Sequence, residues 1–232
     1  MKINIKNFLC EILILTMLLF TLTACTGGTD ESKIKEKASS EIDFLESEIF
    51  KMALKYAKGE YNSEDGLDWE SIYDESEILN ESWSTVVLDL SKLNIPEEQI
   101  NGLGQDVANL VISISAQNED ELFTNLYSIY SRLPEIEQIY SEDNISKSKR
   151  ELKKIVFLAY VYAENENYEA SKSEIQNASN RYNEMMKDTN YIKNSSYNLN
   201  KILVEIEELK SAINLENIAL IRIRFVNFIE EL

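Results

Sequence analysis

The chain has 232 residues, with 23 Lys and Arg against 41 Asp and Glu, no His, two Cys, six Gly and two Pro. That length can bury a sizeable core in one or two domains, and the absence of His removes imidazole acid–base catalysis, His-bound zinc and Ser-His-Asp chemistry. A net charge of −18 leaves no surplus of cations to displace nucleic-acid counterions, which excludes DNA and RNA as partners, and so few Gly and Pro exclude a turn-rich β protein.

In chain order, Lys2 and Lys6 precede an apolar run from Phe8 to Ala24, which ends in Leu22-Thr23-Ala24-Cys25 and passes into Thr26-Gly27-Gly28-Thr29. A positive start, an apolar stretch and small residues follow one another as in an export signal. The dense apolar part falls short of the about 20 residues a spanning helix needs. Leu22-Thr23-Ala24-Cys25 resembles the lipobox of bacterial prolipoproteins. The resemblance implies that residues 1–24 are a signal peptide cut away in export and that Cys25 becomes the acylated first residue. The mature chain is then extracytoplasmic and held at the cell membrane by its N-terminal lipid anchor. Cys10 leaves with the signal, so the mature domain keeps neither a free thiol nor a disulfide. Residues 25–40 read as the lipidated Cys followed by a polar, flexible tether.

From residue 41 to 232 the apolar positions follow helical spacing, which predicts an all-α fold, an elongated antiparallel bundle of about six helices. Ile42, Leu45, Ile49, Ala53 and Tyr56 make the first face, ended by Gly59. Trp69, Ile72, Leu79, Trp83, Val86, Leu90 and Leu93 make the second, with Asp68 as its N-cap. Ile100, Leu103, Val107, Val111, Ile114, Asn118, Leu122, Leu126, Ile129 and Leu133 keep one unbroken 3.6-residue phase. They predict a single long helix from about 97 to 133, stopped by Pro134 and weakened early by Gly102 and Gly104.

The second part repeats this order. Leu152, Ile155, Ala159 and Tyr162 form one face, and Tyr168, Ile175, Ala178, Tyr182, Met185 and Met186 the next. A last long stripe runs from Leu199 through Asn217 to Phe228. An offset of 99 residues carries Trp69, Trp83 and Asn118 onto Tyr168, Tyr182 and Asn217. The chain is therefore expected to hold two duplicated three-helix halves, the pseudo-repeats 41–134 and 147–232. Asn118 and Asn217 read as polar register devices within apolar stripes. The paired Trp and Tyr residues and Met185-Met186 read as core.

Charge is unevenly spread. Between residues 59 and 131 there are sixteen acids and a single base, Lys92, whereas 147–232 holds thirteen of each. Glu60, Glu64, Asp65, Asp68, Glu70, Asp74 and Glu75 crowd one loop and the helix after it, making a candidate acidic docking surface with a field that attracts cationic partners. Placing Gly66 at the sixth position of a calcium loop puts Tyr61 first and Ile72 twelfth, so neither anchor ligand is present. No phosphate-binding loop, nucleophile elbow or reactive Cys supports catalysis, and no catalytic, cofactor or metal residue is assigned. The mature part is similar to small helical lipoproteins of Gram-positive bacteria. The function these features imply is binding or scaffolding at the cell surface, with a basic protein or peptide as partner. The alternative is an accessory cation-binding lipoprotein that uses the acidic first half.

Replacing Cys25 with Ala is expected to abolish labelling by a clickable fatty acid and to leave the precursor uncut or shed the protein into the medium. Labelling that persists in this variant would show that Cys25 is not the acylated residue.

Overall fold

The computed structural model describes residues 31–63, 66–187 and 199–232. Among them the chain forms eight α-helices: α1 Glu31–Ala57, α2 Trp69–Leu90, α3 Glu97–Ser115, α4 Glu119–Tyr140, α5 Asn144–Glu164, α6 Tyr168–Met185, α7 Leu199–Asn214 and α8 Ile218–Glu231. A two-residue hairpin, β1 Asn62–Ser63 with β2 Gly66–Leu67, closes the loop between α1 and α2 in the register Asn62 opposite Leu67. The all-α expectation holds. Among the described residues no helix is long and apolar enough to cross a membrane.

Residues 34–232 form one unit, in which the helices divide into two groups of four, α1–α4 and α5–α8. Short connections set α2 on α3, α3 on α4, α5 on α6 and α7 on α8 as antiparallel neighbours, and α6 packs on α7 as well. In the second group α8 returns onto α5 and closes the ring. In the first, α1 reaches α4 through Phe50 against Tyr130 and Tyr56 against Phe123. It reaches α2 through Lys55 with Glu75 and Lys37 with Asp89. The two groups join where α4 packs on α5, and Phe157 of α5 meets Phe50 of α1 and Phe225 of α8.

The expected long helix over 97–133 is two helices, α3 and α4, and the last stripe is likewise divided into α7 and α8. The phase misled because the chain folds back onto the same core. Ile114 and Leu122 are eight residues apart, as are Ile213 and Ile221, close to the about 7.2 residues of two helical turns. A stripe that reverses over such a connection reads as continuous. Three connections share one construction. Gln117, Glu166 and Glu216 adopt left-handed backbones with φ of 54°, 58° and 52°, and an Asn follows each. The N–H groups of Asn118, Asn167 and Asn217 donate to the carbonyls of Ser113, Tyr162 and Ala212 at 2.9, 2.8 and 3.3 Å. Those of Gln117, Glu166 and Glu216 donate to Ile114, Ala163 and Ile213. This doubly bonded exit satisfies carbonyls that a helix end leaves open.

The Asn then begins the next helix. Asn167 and Asn217 accept side-chain N-cap bonds from the N–H groups of Ala170 and Leu220, and Asn118 holds the same position with an extended backbone. Asn118 and Asn217 are therefore turn residues, not polar members of the core. The halves are four helices each rather than three. At the offset of 99, helix starts 69 and 119 fall on 168 and 218, and the left-handed residue 117 falls on 216.

Two further expectations change. Pro134 lies buried inside α4, which continues to Tyr140. Proline removes one backbone bond and crowds the turn before it, and burial of Leu133, Ile136 and Tyr140 around it offsets that cost. The stretch 31–40, expected within the tether, belongs to α1 because Ile34 and fully buried Ala38 extend the Ile42, Leu45, Ile49 stripe. Gly102 and Gly104 have a packing reason. A Cβ on Gly104 would stand 3.0 Å from the Trp83 indole, and one on Gly102 would meet the Arg132 guanidinium at 2.5 Å. Their bareness lets α2 and α4 side chains lie across α3, and Arg132 thereby reaches Asp106.

Exposed Gln117 carries a side chain in a backbone region that glycine enters freely. Gln117→Gly is expected to raise the unfolding free energy by up to about 1 kcal/mol, seen as a gain of a few degrees in melting temperature. A loss of stability would contradict the turn geometry.

Candidate functional site

The acidic cluster divides once it is folded. Asp68 sits at the start of α2 as the sequence predicts, its carboxylate accepting from the Ser71 N–H at 3.2 Å and the Ser71 hydroxyl at 2.7 Å. Those bonds, side chain first, hold its carboxyl below the ordinary Asp range. Glu75, two turns further, points inward and is buried. It accepts from Lys55 at the end of α1 and from the Tyr61 hydroxyl, and burial together with that carboxylate pushes the Tyr61 hydroxyl up. Asp68 and Glu75 thus act within the fold, tying α2 to the loop and to α1. Glu60, Glu70 and Asp74 are exposed. Glu64 and Asp65 lie outside the described residues, as does Cys25.

What remains on the outside of α2 is a mixed stripe. Glu70, Asp74, Ile78, Glu81, Thr85 and Leu88 succeed one another at steps of three and four and are all exposed, which places them on one helical face. Ile78 is 43% and Leu88 44% exposed, more than a side chain needed by the core. Sequence reasoning passed over both because they fall off the buried phase of Ile72, Leu79, Val86 and Leu90. That mismatch was the available signal.

A second constellation was not foreseen. Arg150, in the second turn of α5, is only 4% exposed and directs each guanidinium nitrogen at a different carboxylate. Nη2 lies 2.6 Å from Asp43, Nε 2.5 Å from Glu46 and Nη1 2.6 Å from Glu137. Lys153 adds a contact to Glu46 at 2.7 Å, and the Ser146 hydroxyl donates to Glu137 at 2.7 Å. Burial pulls the Arg150 pKa down, but the Glu46 and Glu137 charges raise it above its ordinary value. Burial raises Glu46, but Lys153 and Arg150 outweigh it and hold its carboxyl below the usual 4.5. Asp43, Glu46, Ser146, Lys149, Arg150 and Lys153 line an open cleft of about 260 Å³. With every guanidinium nitrogen already facing a carboxylate, the arrangement works as a charged clamp between α1, α4 and α5. The sequence offered one clue: Arg150 stands seven residues before the core residue Phe157, on the same face of α5.

At the turn-bearing end a third cluster joins four helices. Arg222 of α8 makes a two-pronged contact with Glu164 of α5 at 2.8 and 2.7 Å and lies 4.9 Å over the Tyr56 ring of α1. The Tyr56 hydroxyl donates to Glu119 of α4 at 2.5 Å. Burial, then that hydrogen bond, push the Tyr56 hydroxyl up. This cluster also serves the fold.

Among the described residues no group of three or more Asp, Glu or Cys side chains is gathered to hold a metal ion. Compared with protein-family models, curated proteins and solved structures, the chain matches none of them.

Arg150→Leu would leave Glu137, 1% exposed, as a buried charge without its partner, and is expected to lower stability by about 3–5 kcal/mol, read by urea unfolding. The Glu46 carboxyl is depressed in the fold, so its contribution is present above about 4.5 and is lost as pH falls through the lower folded value. Between pH 5 and 3 the native protein is expected to lose stability more steeply than Glu46→Gln. Equal slopes would place no stabilising charge at Glu46.

Proposed function

We propose that the chain is a bacterial lipoprotein, anchored through Cys25 on the outer side of the cell membrane. Its helical unit is a binding or scaffolding module that docks a basic protein or peptide. The anchor rests on the Leu22-Thr23-Ala24-Cys25 resemblance. The docking function rests on one observation: the outward stripe of α2 sets exposed Ile78 and Leu88 among Glu70, Asp74 and Glu81. Exposed apolar side chains supply short-range affinity, and carboxylates around them supply orientation and encounter rate. An amphipathic basic segment complements both, one of its faces covering the two aliphatic groups while its cations meet the acids.

The alternative, an accessory cation site, loses support from the same geometry. Two of its proposed ligands are occupied, Asp68 by Ser71 and Glu75 by Lys55 and Tyr61, while Glu60, Glu70 and Asp74 stand out in solvent. No catalytic role is proposed.

A photo-crosslinking residue at Leu88 in the full chain, in the producing bacterium, is expected to trap a protein through a basic segment. In Glu70→Lys, Asp74→Lys, Glu81→Lys the product should fall sharply while the melting temperature holds or rises slightly, because like-charge repulsion is relieved. Association measured with the trapped segment should slow as salt rises above about 0.15 M, where the screening length is roughly 8 Å. Trapping that is indifferent to the triple reversal would remove the acidic stripe as the docking surface.

A further inference from the structure

The outward face of the α7–α8 hairpin has a chemistry its counterpart lacks. Val204 is 50% exposed, Leu215 70%, Leu220 38% and Ile223 53%. The ion pairs Glu208 with Arg224 and Lys201 with Glu231 cross from α7 to α8 on this face, and the four aliphatic side chains flank them. At the offset of 99 the corresponding positions on the α3–α4 hairpin are Gln105, Ala116, Glu121 and Thr124. Those positions are exposed too, and the large exposed apolar residues on that hairpin, Ile112 and Ile139, lie elsewhere on it. Two hairpins of one construction show that the fold does not require aliphatic side chains here. An exposed cluster of this kind marks a contact surface.

We infer that this face is a two-fold contact between copies of the chain. Charge selects the occupant. The acid excess of the molecule lies between residues 59 and 131, while 147–232 holds thirteen bases and thirteen acids. The charges crossing the α7–α8 face are matched in pairs. A neutral, aliphatic face has nothing to attract a basic peptide or an anionic lipid surface, and it is complementary to itself. A contact there also keeps the two acidic halves away from the join, where mutual repulsion of chains with a net charge of −18 is least. The inference is independent of the docking function assigned to α2.

The test uses the full chain in the producing cell with single cysteines at Leu215→Cys, Leu220→Cys and Ile223→Cys, treated with a short flexible bis-maleimide. The parent chain, with Cys10 and Cys25, sets the background. At least one of the three is expected to give a product of twice the chain mass, well above the yield of Thr124→Cys. Two differently tagged copies should co-purify, and Leu220→Asp with Ile223→Asp should reduce that co-purification about tenfold or more. All four aliphatic positions lie outside the core, so unchanged circular dichroism and abundance will show that the fold is kept. Yields no higher than Thr124→Cys at all three positions, products of another mass, or co-purification untouched by the double Asp variant would overturn the inference.

Discussion

A chain of aromatic rings makes one folded unit out of two four-helix groups. Phe50 of α1 meets Tyr130 of α4 at 4.7 Å and Phe157 of α5 at 5.4 Å. Phe157 and Tyr160 of α5 lie 5.7 and 4.0 Å from Phe225 of α8. All four helices at the join contribute. Such pairs add about 0.5–1.5 kcal/mol each beyond the area they bury. Both cysteines stand before residue 26, so the described unit has no disulfide to constrain its unfolded state and depends on this packing. The charged groups accept its geometry. Tyr130 donates through its hydroxyl to the Arg150 carbonyl, which brings the three-carboxylate clamp against the edge of the ring cluster, and Arg222 covers the outer Tyr56 ring.

The same join explains what periodicity could and could not reveal. A stripe of one phase predicts one buried face, and it found Ile42, Leu45, Ile49, Leu103, Val107, Leu126 and Ile206, all buried. Helices at the join are buried on two sides. On α5 the expected face was Leu152, Ile155, Ala159 and Tyr162, yet Val156, Phe157 and Tyr160 are fully buried while Ile155 and Tyr162 are half-buried. Phe50, Phe123, Tyr130 and Phe157 escaped for that reason, and Arg150 with them. The missed breaks at 116–118 and 215–217 have a different cause. Neither turn contains Gly or Pro, and the left-handed positions are held by Gln117 and Glu216. Doubled backbone bonds close both turns and leave no mark on composition; the mark present is the Asn that follows each left-handed residue, which at Asn217 adds an N-cap bond from the Leu220 N–H.

For the acidic surface, residue type was legible and direction was not. Asp74 and Glu75 are adjacent in sequence, but one stands in solvent and the other receives two donors that lie 14 and 20 residues earlier, Tyr61 and Lys55. Successive residues on a helix differ by 100° in direction, so a run of acids cannot all serve one surface. The fold removes Asp68 and Glu75 and adds Ile78 and Leu88. The result is smaller than the seven-residue cluster and better suited to a protein ligand, because carboxylates alone attract cations without selecting among them.

The two halves carry their surfaces on different elements, α2 in the first and the α7–α8 hairpin, counterpart of α3–α4, in the second, and the physics of those surfaces keeps them separable. On the first half the outward charge is unbalanced, so its influence extends over a screening length and weakens with salt. On the second, Glu208 with Arg224 and Lys201 with Glu231 cancel at close range, and the aliphatic contact beside them acts only at van der Waals distance. If both proposed contacts form, raising salt would weaken recognition at α2 but not association at α7–α8, since screening also reduces repulsion between acidic halves. A basic ligand docked on the first half would reduce the negative charge of each copy and so favour the same association. Charge alone would thus link the two proposed surfaces through the field of the whole molecule.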